Sequence, residues 1–279
     1  MLERLLPKLR DQNTDGRFEF SIVVADNAPE KSALPVVRNF AAASNIAAVY
    51  ASEPEQNIAR TRNLALRHAT GDLVAFIDDD EFPEHHWLSH LFQARERYGV
   101  AGVLGPVRPS FERSPPKWVT KGRFCERPEF LTGRELCWKD CRTGNVLFEK
   151  RIVRGMAEPF DPAFGTGGED KDFFMRMTAA GHAFRWCNEA VVYETVPPNR
   201  CTRLYMIRRA LLRGRNILKL RPERKELIFR SVIASPIYLL VLPFALLGGQ
   251  HVFMKYLIKL CDHTGRLLAL AGLNPVRER

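Results

Sequence analysis

The densest chemistry in the chain lies in Asp72-Leu73-Val74-Ala75-Phe76-Ile77-Asp78-Asp79-Asp80-Glu81, where an apolar run of strand length ends in four consecutive acidic residues. Neighbouring carboxylates repel one another, so the cluster is costly unless a positive charge sits within it. Hard divalent cations meet that need: Mg2+ and Mn2+ take oxygen ligands and commonly hold a substrate phosphate on their other side. The stretch therefore points to a metal–diphosphate site, with a solvated acidic turn as the plain alternative. Further along, Gly165, Gly167 and Gly168 form a flexible turn that opens a predicted helix through Asp172, Phe173, Phe174 and Met177 to a stop at Gly181. Glu169 and Asp170 fall in its first turn, where unpaired amides and the helix dipole favour negative charge.

The elements that must position these carboxylates alternate in type. Leu2, Leu5, Leu6 and Leu9 share one face of a leading helix, Met1–Arg10. Phe18–Ala25 is β-rich and ends at Asp26-Asn27, Lys31–Ala43 reads as a helix, and Ile46–Ala51 as a short strand. Asn57–Ala69 is helical, with Gly71 supplying the stop before the acidic-ended strand. A helix over Glu84–Tyr98 closes at Gly99, and Val100–Val107 returns as a strand. Such alternation predicts a mostly parallel sheet covered by helices on both faces. Ligands in such sheets sit beyond the carboxyl ends of the strands, where Asp26 and Asp78 both fall. Pro109–Asp140 loses periodicity and reads as a long surface excursion of the functional kind. Its Trp118 and Trp138 either offer flat platforms to a sugar or pack the loop. Thr143–Phe148 is a strand again, and His182–Thr195 holds two short ones.

A chain of 279 residues with 46% hydrophobic content supports one large α/β domain plus an appendage. The net charge of +10 is local: Arg200–Arg230 carries eleven Lys/Arg against two Glu, so the remainder is nearly neutral. Those arginines sit against an apolar run rather than among stacking aromatics, which argues against nucleic-acid binding. The six scattered cysteines read as free thiols of a reducing cytosol. Cys137 and Cys141 lack the second pair or nearby His that a structural zinc site needs. His85-His86 read as a solvent-facing pair at a helix start.

The ordered set Asp26-Asn27, Asn57-x4-Arg62-Asn63, Asp78-Asp79-Asp80, Thr143-Gly144-Asn145 and Gly167-Gly168-Glu169-Asp170 resembles the family 2 glycosyltransferases, of GT-A fold, over roughly Met1–Pro197. The likeness is to bacterial members that build exopolysaccharide or lipid-linked glycans. It implies a glycosyltransferase domain over residues 1–199 and a basic, apolar helical membrane-association region over 200–279. It also implies an inverting transfer from a nucleotide sugar, UDP-linked in class, to a glycan or lipid-linked acceptor. Asp78 and Asp80 match the DxD pattern, one facing the ribose while Asp80, with Asp79 as second candidate, holds Mg2+ or Mn2+. Asp78 counts among both the nucleotide contacts and the metal ligands. Asp26 matches the contact to the base, and Arg62 and Asn63 match neighbours of the phosphates. Asp170 matches the catalytic base, with Glu169 its companion for acceptor hydroxyls. Asn145 matches the lining of the sugar pocket, with Trp118 and Trp138 further acceptor candidates. Glu194 stands where relatives often carry a metal-binding His, and could either ligate or end a surface strand.

Members of that family begin with a β-strand ending in a Pro-x-Tyr-Asn-like turn, the other wall of the base pocket. Here the leading helix comes first, so a coding start upstream of Met1 is expected. A degenerate, membrane-docked copy is the non-enzymatic alternative. A sugar nucleotidyltransferase is disfavoured because no Gly-rich, basic loop follows the first strand.

Ser231–Met254 runs for 24 residues without Lys, Arg, Asp or Glu, long enough to cross a bilayer. Pro236 and Pro243 interrupt it, and Lys255, Lys259 and Arg266 follow. These features predict a kinked re-entrant or in-plane hairpin on the cytoplasmic face of the inner membrane, with a single span as the alternative. The basic block before it would attract anionic lipid.

Overall fold

The computed structural model describes residues 1–220, 224–273 and 276. Arg221 and Glu223 of the basic stretch lie outside the described residues. The chain divides into two compact units, residues Met1–Arg108 with Arg127–Thr195, and residues Pro109–Glu126 with Val196–Arg279.

The first unit begins with α1 (Leu2–Arg10), β1 (Ile22–Asp26), α2 (Leu34–Ala43), β2 (Ala48–Ser52) and α3 (Ile58–His68). It continues through β3 (Leu73–Ile77), β4 (Glu81–Pro83), α4 (Trp87–Tyr98) and β5 (Gly102–Leu104), and β6 (Val107–Phe111) runs across the unit boundary. The class is α/β with helix-flanked sheets. Strand pairing is mixed rather than mostly parallel. β1 and β2 form a parallel pair of their own. After α5 (Lys117–Gly122), β7 (Asn145–Glu149) enters a four-stranded sheet ordered β3–β7–β5–β8, β8 being Phe184–Trp186. β7 runs antiparallel to both β3 and β5, whereas β5 and β8 are parallel. A parallel neighbour needs a crossover element; β7 arrives from the long excursion instead, which leaves it free to run the other way.

Successive residues of β7 point to opposite faces. Val146 and Phe148 join a core with Leu66 of α3, and with Phe173 and Phe174 of α6 (Glu169–Ala179). Leu147 joins a second core with Leu5, Leu6 and Leu9 of α1 and Trp87, Leu88 and Leu91 of α4. Gln12 ties α1 to α4: its Nε2 donates to Glu84 O at 2.8 Å and its Oε1 accepts from Leu88 N–H at 3.1 Å. β9 (Val192–Val196) runs antiparallel to β4, which aligns Glu194 with Glu81.

In the second unit, α9 (Gln250–Leu270) packs against both α7 (Arg203–Leu220) and α8 (Arg224–Ala245). The apolar run is therefore a helical hairpin: α8 continues through Pro236 and Pro243, and Gly249 (φ 93°) breaks the chain before α9. Residues 225–248 form a helix long and apolar enough to cross a membrane. Much of its apolar side chain is uncovered within the unit, with Leu240 72% and Leu247 88% exposed.

Candidate active site

β3 delivers the acidic turn, which folds on itself. Glu81 N–H donates to Asp78 O at 3.1 Å, while Asp78 N–H donates to Glu81 Oε2 at 3.2 Å. Glu81 is completely buried, and its Oε1 accepts no hydrogen bond. Burial first, then the charge of Asp78, pushes the Glu81 carboxyl well above the usual range, with Arg127 opposing. Arg127 Nη1 lies 3.8 Å from Glu81 Oε1, and its Nη2 pairs with Glu194 at 2.6 Å. Asp78 is likewise raised by desolvation, against Arg62 and with help from Asp80 and Asp79. Gly144 makes room for this cluster. A Cβ there would stand 2.7 Å from Glu81 Oε1 and 3.2 Å from Asp78 Oδ2.

α3 joins the acidic turn to the glycine turn. Asn57 caps the helix, accepting from Ala59 and Arg60 N–H at 3.0 and 3.2 Å, and its Nδ2 donates to Pro162 O at 3.0 Å. Gly165 sits so close that a Cβ would meet the Asn57 amide at 2.3 Å. Asn63 clasps the same segment, donating to Phe160 O at 2.7 Å and accepting its N–H at 2.9 Å. Arg62 ion-pairs with Glu169 and stands 3.5 Å from Asp78 Oδ1. Glu169 is buried, and desolvation raises its carboxyl against the pull of Arg62. Gly167 and Gly168 take φ of 119° and 102°, a backbone that L side chains rarely adopt, and so turn the chain into α6. Asp170 follows at the helix start, its Oδ1 accepting Lys171 N–H at 2.7 Å. Lys171 Nζ donates to Lys139 O and Cys141 O at 2.6 and 2.7 Å, fixing the helix start to the end of the excursion. Burial and then Arg142 hold that ammonium below its ordinary range.

Arg62 thus brings Asp78, with Asp79 and Asp80 beside it in the turn, into one assembly with Glu169 and its neighbour Asp170. Several other candidates have their polar groups or rings engaged in the surrounding structure. Asp26 spends its carboxylate locally, on Ala28 N–H at 2.9 Å, Ala33 N–H at 3.1 Å and the Tyr50 hydroxyl at 3.1 Å, shaping the loop into α2. Asn145 is a buried hub: Oδ1 accepts from Trp87 Nε1 at 2.8 Å, and Nδ2 donates to Pro106 O and Ala190 O at 3.0 and 2.7 Å. Trp118 belongs to the core of the second unit with Val119, Met206 and Met254, because the first part of the excursion folds into that unit. Trp138 is half-buried against the first unit's core and carries the Lys139 ammonium 5.5 Å from its ring centroid.

Sequence reasoning gave no site role to Glu81, Arg127 or Lys171, and it placed Gly144 only within the Thr143-Gly144-Asn145 motif. Glu81 is the fourth acid of the run, and its burial is the signal that a solvated turn would lack. Arg127, inside an aperiodic loop, gave no signal. The carboxylate donor set suits a hard cation, and Glu81 Oε1 is a buried acceptor without a hydrogen bond beside it. Among the described residues no three His, Cys, Asp or Glu side chains form a cage.

Residues 1–153 match the model of glycosyl transferase family 2. The succinoglycan biosynthesis protein ExoM of Rhizobium meliloti (strain 1021) is 33% identical over 228 residues, 80% of this chain and 72% of that protein. The chondroitin synthase of Escherichia coli is 26% identical over 216 residues, which is 66% of this chain and 31% of that much longer protein. A crystal structure of S. aureus TarS 1–349 in complex with UDP aligns over 99% of this chain and 89% of its own, with a TM-score of 0.54 at 16% identity. That last likeness is one of fold.

Proposed function

Because the chain belongs to glycosyl transferase family 2, we propose that it moves a sugar, with inversion, from a UDP-class nucleotide sugar to a hydroxyl of a glycan or lipid-linked saccharide in cell-surface polysaccharide synthesis. The observation that carries this is Arg62, which holds Asp78 of the acidic turn and Glu169 at the start of α6 in one assembly. Donor diphosphate at the turn and acceptor hydroxyl at the helix start are then neighbours.

Asp78 and Asp80 would hold Mg2+ or Mn2+, which supplies positive charge to the departing diphosphate. Arg62 adds a second, fixed positive charge. Asp170 takes the proton from the acceptor hydroxyl as its oxygen attacks the anomeric carbon. The new C–O bond forms on the face opposite the breaking bond to diphosphate, which leaves with the electron pair. Glu169, kept in place by Arg62, orients the acceptor's hydroxyls. Asn63, Asn145 and Asp26 act by holding loops in shape, and Glu194 by anchoring Arg127.

The uncovered apolar side of α8, with the arginines of α7, supports docking on an anionic cytoplasmic membrane face, where a lipid-linked acceptor would be met. Incubation with UDP-sugars, with and without Mn2+, followed by NMR of the anomeric proton, tests the reaction. Mn2+-dependent transfer with inverted configuration is expected, and a retained configuration would refute the single displacement.

A further inference from the structure

The covered and uncovered sides of α8 decide how the helical hairpin can meet a bilayer. Phe229, Ile233, Ile237, Leu240, Phe244 and Leu247 are all exposed, and their spacing of three or four residues sets them on one stripe. At about 1.5 Å per residue the stripe runs for about 27 Å. The opposite side is engaged with α9. Ser231, Leu242 and Ala245 are buried there, the Ser231 hydroxyl meets His263 Nδ1 at 3.0 Å, and the Tyr238 ring lies 5.5 Å from that of His263 and 6.0 Å from that of Tyr256. Residues 231–245 carry no charge on any side, so the charged side of this body is supplied by the helices packed with α8.

Those contacts fix what lies level with the middle of α8. Tyr238, near the centre of the apolar residues 225–248, faces the stretch of α9 between Tyr256 and His263. That stretch carries the exposed Lys259 and Asp262, which pairs with Arg213 at 2.7 Å, and the exposed Lys255 precedes it. A crossing α8 would carry these charges toward the hydrocarbon midplane, where an ion is costly. A hairpin entering tip first would do the same, because Lys255 is only six residues beyond Gly249 at the bend. With α8 lying flat, the stripe alone enters the membrane, and α9, on the opposite side of α8, keeps its lysines in water.

Charge identifies the partner. Among the described residues, α7, α8 and α9 expose eight Lys or Arg side chains against one acid, Glu226, which pairs with Arg230. A second copy laid on the stripe would bring two such basic surfaces together, whereas acidic headgroups complement them. We propose that α8 is an in-plane membrane helix whose exposed stripe sinks into one leaflet of an anionic bilayer, with α9 held above it on the water side. The inference rests on the membrane docking proposed above and fixes its geometry; it does not depend on the transfer chemistry.

Depth measurement by EPR, with nitroxide labels on the full chain bound to vesicles of phosphatidylglycerol and phosphatidylethanolamine, tests the proposal. Phe229→Cys, Ile237→Cys and Leu247→Cys are each made in a Cys137→Ser chain, which by itself serves as the blank. All three positions are exposed, so the variants should keep the wild-type urea midpoint. The flat helix predicts the same depth at all three, about 5–10 Å into the headgroup and acyl boundary. Partitioning to neutral phosphatidylcholine vesicles should be about tenfold weaker or more, and the anionic advantage should shrink as salt is raised. A single span predicts Ile237 deepest, with Phe229 and Leu247 toward opposite surfaces and about 27 Å apart in depth. A re-entrant hairpin predicts a depth that rises steadily from Phe229 to Leu247. Either profile overturns the proposal, as does equal partitioning to the two kinds of vesicle. Absence of vesicle binding would refute the docking itself as well as its geometry, and spin–spin coupling between Ile237→Cys labels without lipid would give the stripe to a second copy instead.

Discussion

Arg62 and Glu169 form an ion pair across 107 residues of sequence, with both side chains almost wholly buried. Removing one partner of such a pair leaves an uncompensated charge, at a cost of about 3–5 kcal/mol. Arg62→Ala should therefore unfold at markedly lower urea concentration, and the Glu169→Gln second change should recover part of the loss. The pH dependence has a defined sign. Glu169 is already raised above its ordinary 4.5, and without Arg62 it rises further. A raised carboxyl stabilises most when protonated, so the stability deficit of Arg62→Ala should be small below about pH 4.5 and grow as pH climbs through the folded value. A deficit independent of pH would mean that the pair is not electrostatically coupled.

Gly144→Ala and Gly105→Ala separate the site from the scaffold. The first pushes a methyl toward Glu81 Oε1 and Asp78 Oδ2, and so should raise the KM for donor and the Mn2+ concentration needed for half-maximal rate. The second drives it to 2.1 Å from Ala190 O and 2.7 Å from Asn145 Nδ2, and should cost about 1–3 kcal/mol of stability. Kinetics and urea unfolding on both variants distinguish the two effects. Equal KM changes in both would show that Gly144 has no special relation to the acidic turn.

The cysteines should differ in reactivity. Cys141 and Cys187 are buried, and desolvation pushes both thiols up to about 12, while Cys137 is exposed. The thiolate is the nucleophile, so iodoacetamide at pH 8 should modify Cys137 well before Cys141 or Cys187 in the folded chain. Peptide mass spectrometry over a time course would show the order, and early labelling of Cys141 would contradict it.

Lipid contact by α8 is testable through its uncovered side chains. Leu240 and Phe244 are 72% and 71% exposed. Burying each in lipid is worth about 1.5–3 kcal/mol. The Leu240→Asp/Phe244→Asp variant should lose at least about a hundredfold in partitioning to anionic vesicles, as read by co-sedimentation. Unchanged partitioning would remove this face from the membrane.

The order of elements was legible because apolar periodicity and glycine stops are local signals. α3, for example, begins after Asn57, the residue that caps it, and α6 begins at Glu169 as the glycine turn indicated. β4 escaped notice: Glu81–Pro83 is three residues long and begins with an acid, so only its pairing with β9 makes it a strand. The direction of β7 was equally hidden, since antiparallel and parallel partners leave the same alternation in one strand. Within the site, carboxylates could be recognised by type, but a side-chain amide serves backbone and ligand equally well. Asn63 and Asn145 accordingly looked like ligand contacts and are engaged with Phe160 and with Trp87, Pro106 and Ala190. Trp118 and Trp138, twenty residues apart in one aperiodic stretch, fall in different units, a division set by long-range packing.

The central claim is that Asp170 removes the acceptor's proton beside a donor held at the acidic turn. Steady-state transfer by Asp170→Asn, with UDP affinity measured on the same sample, tests it most directly. The account predicts a loss of about 10²–10⁴ in kcat with UDP binding unchanged. Wild-type turnover in that variant would contradict it.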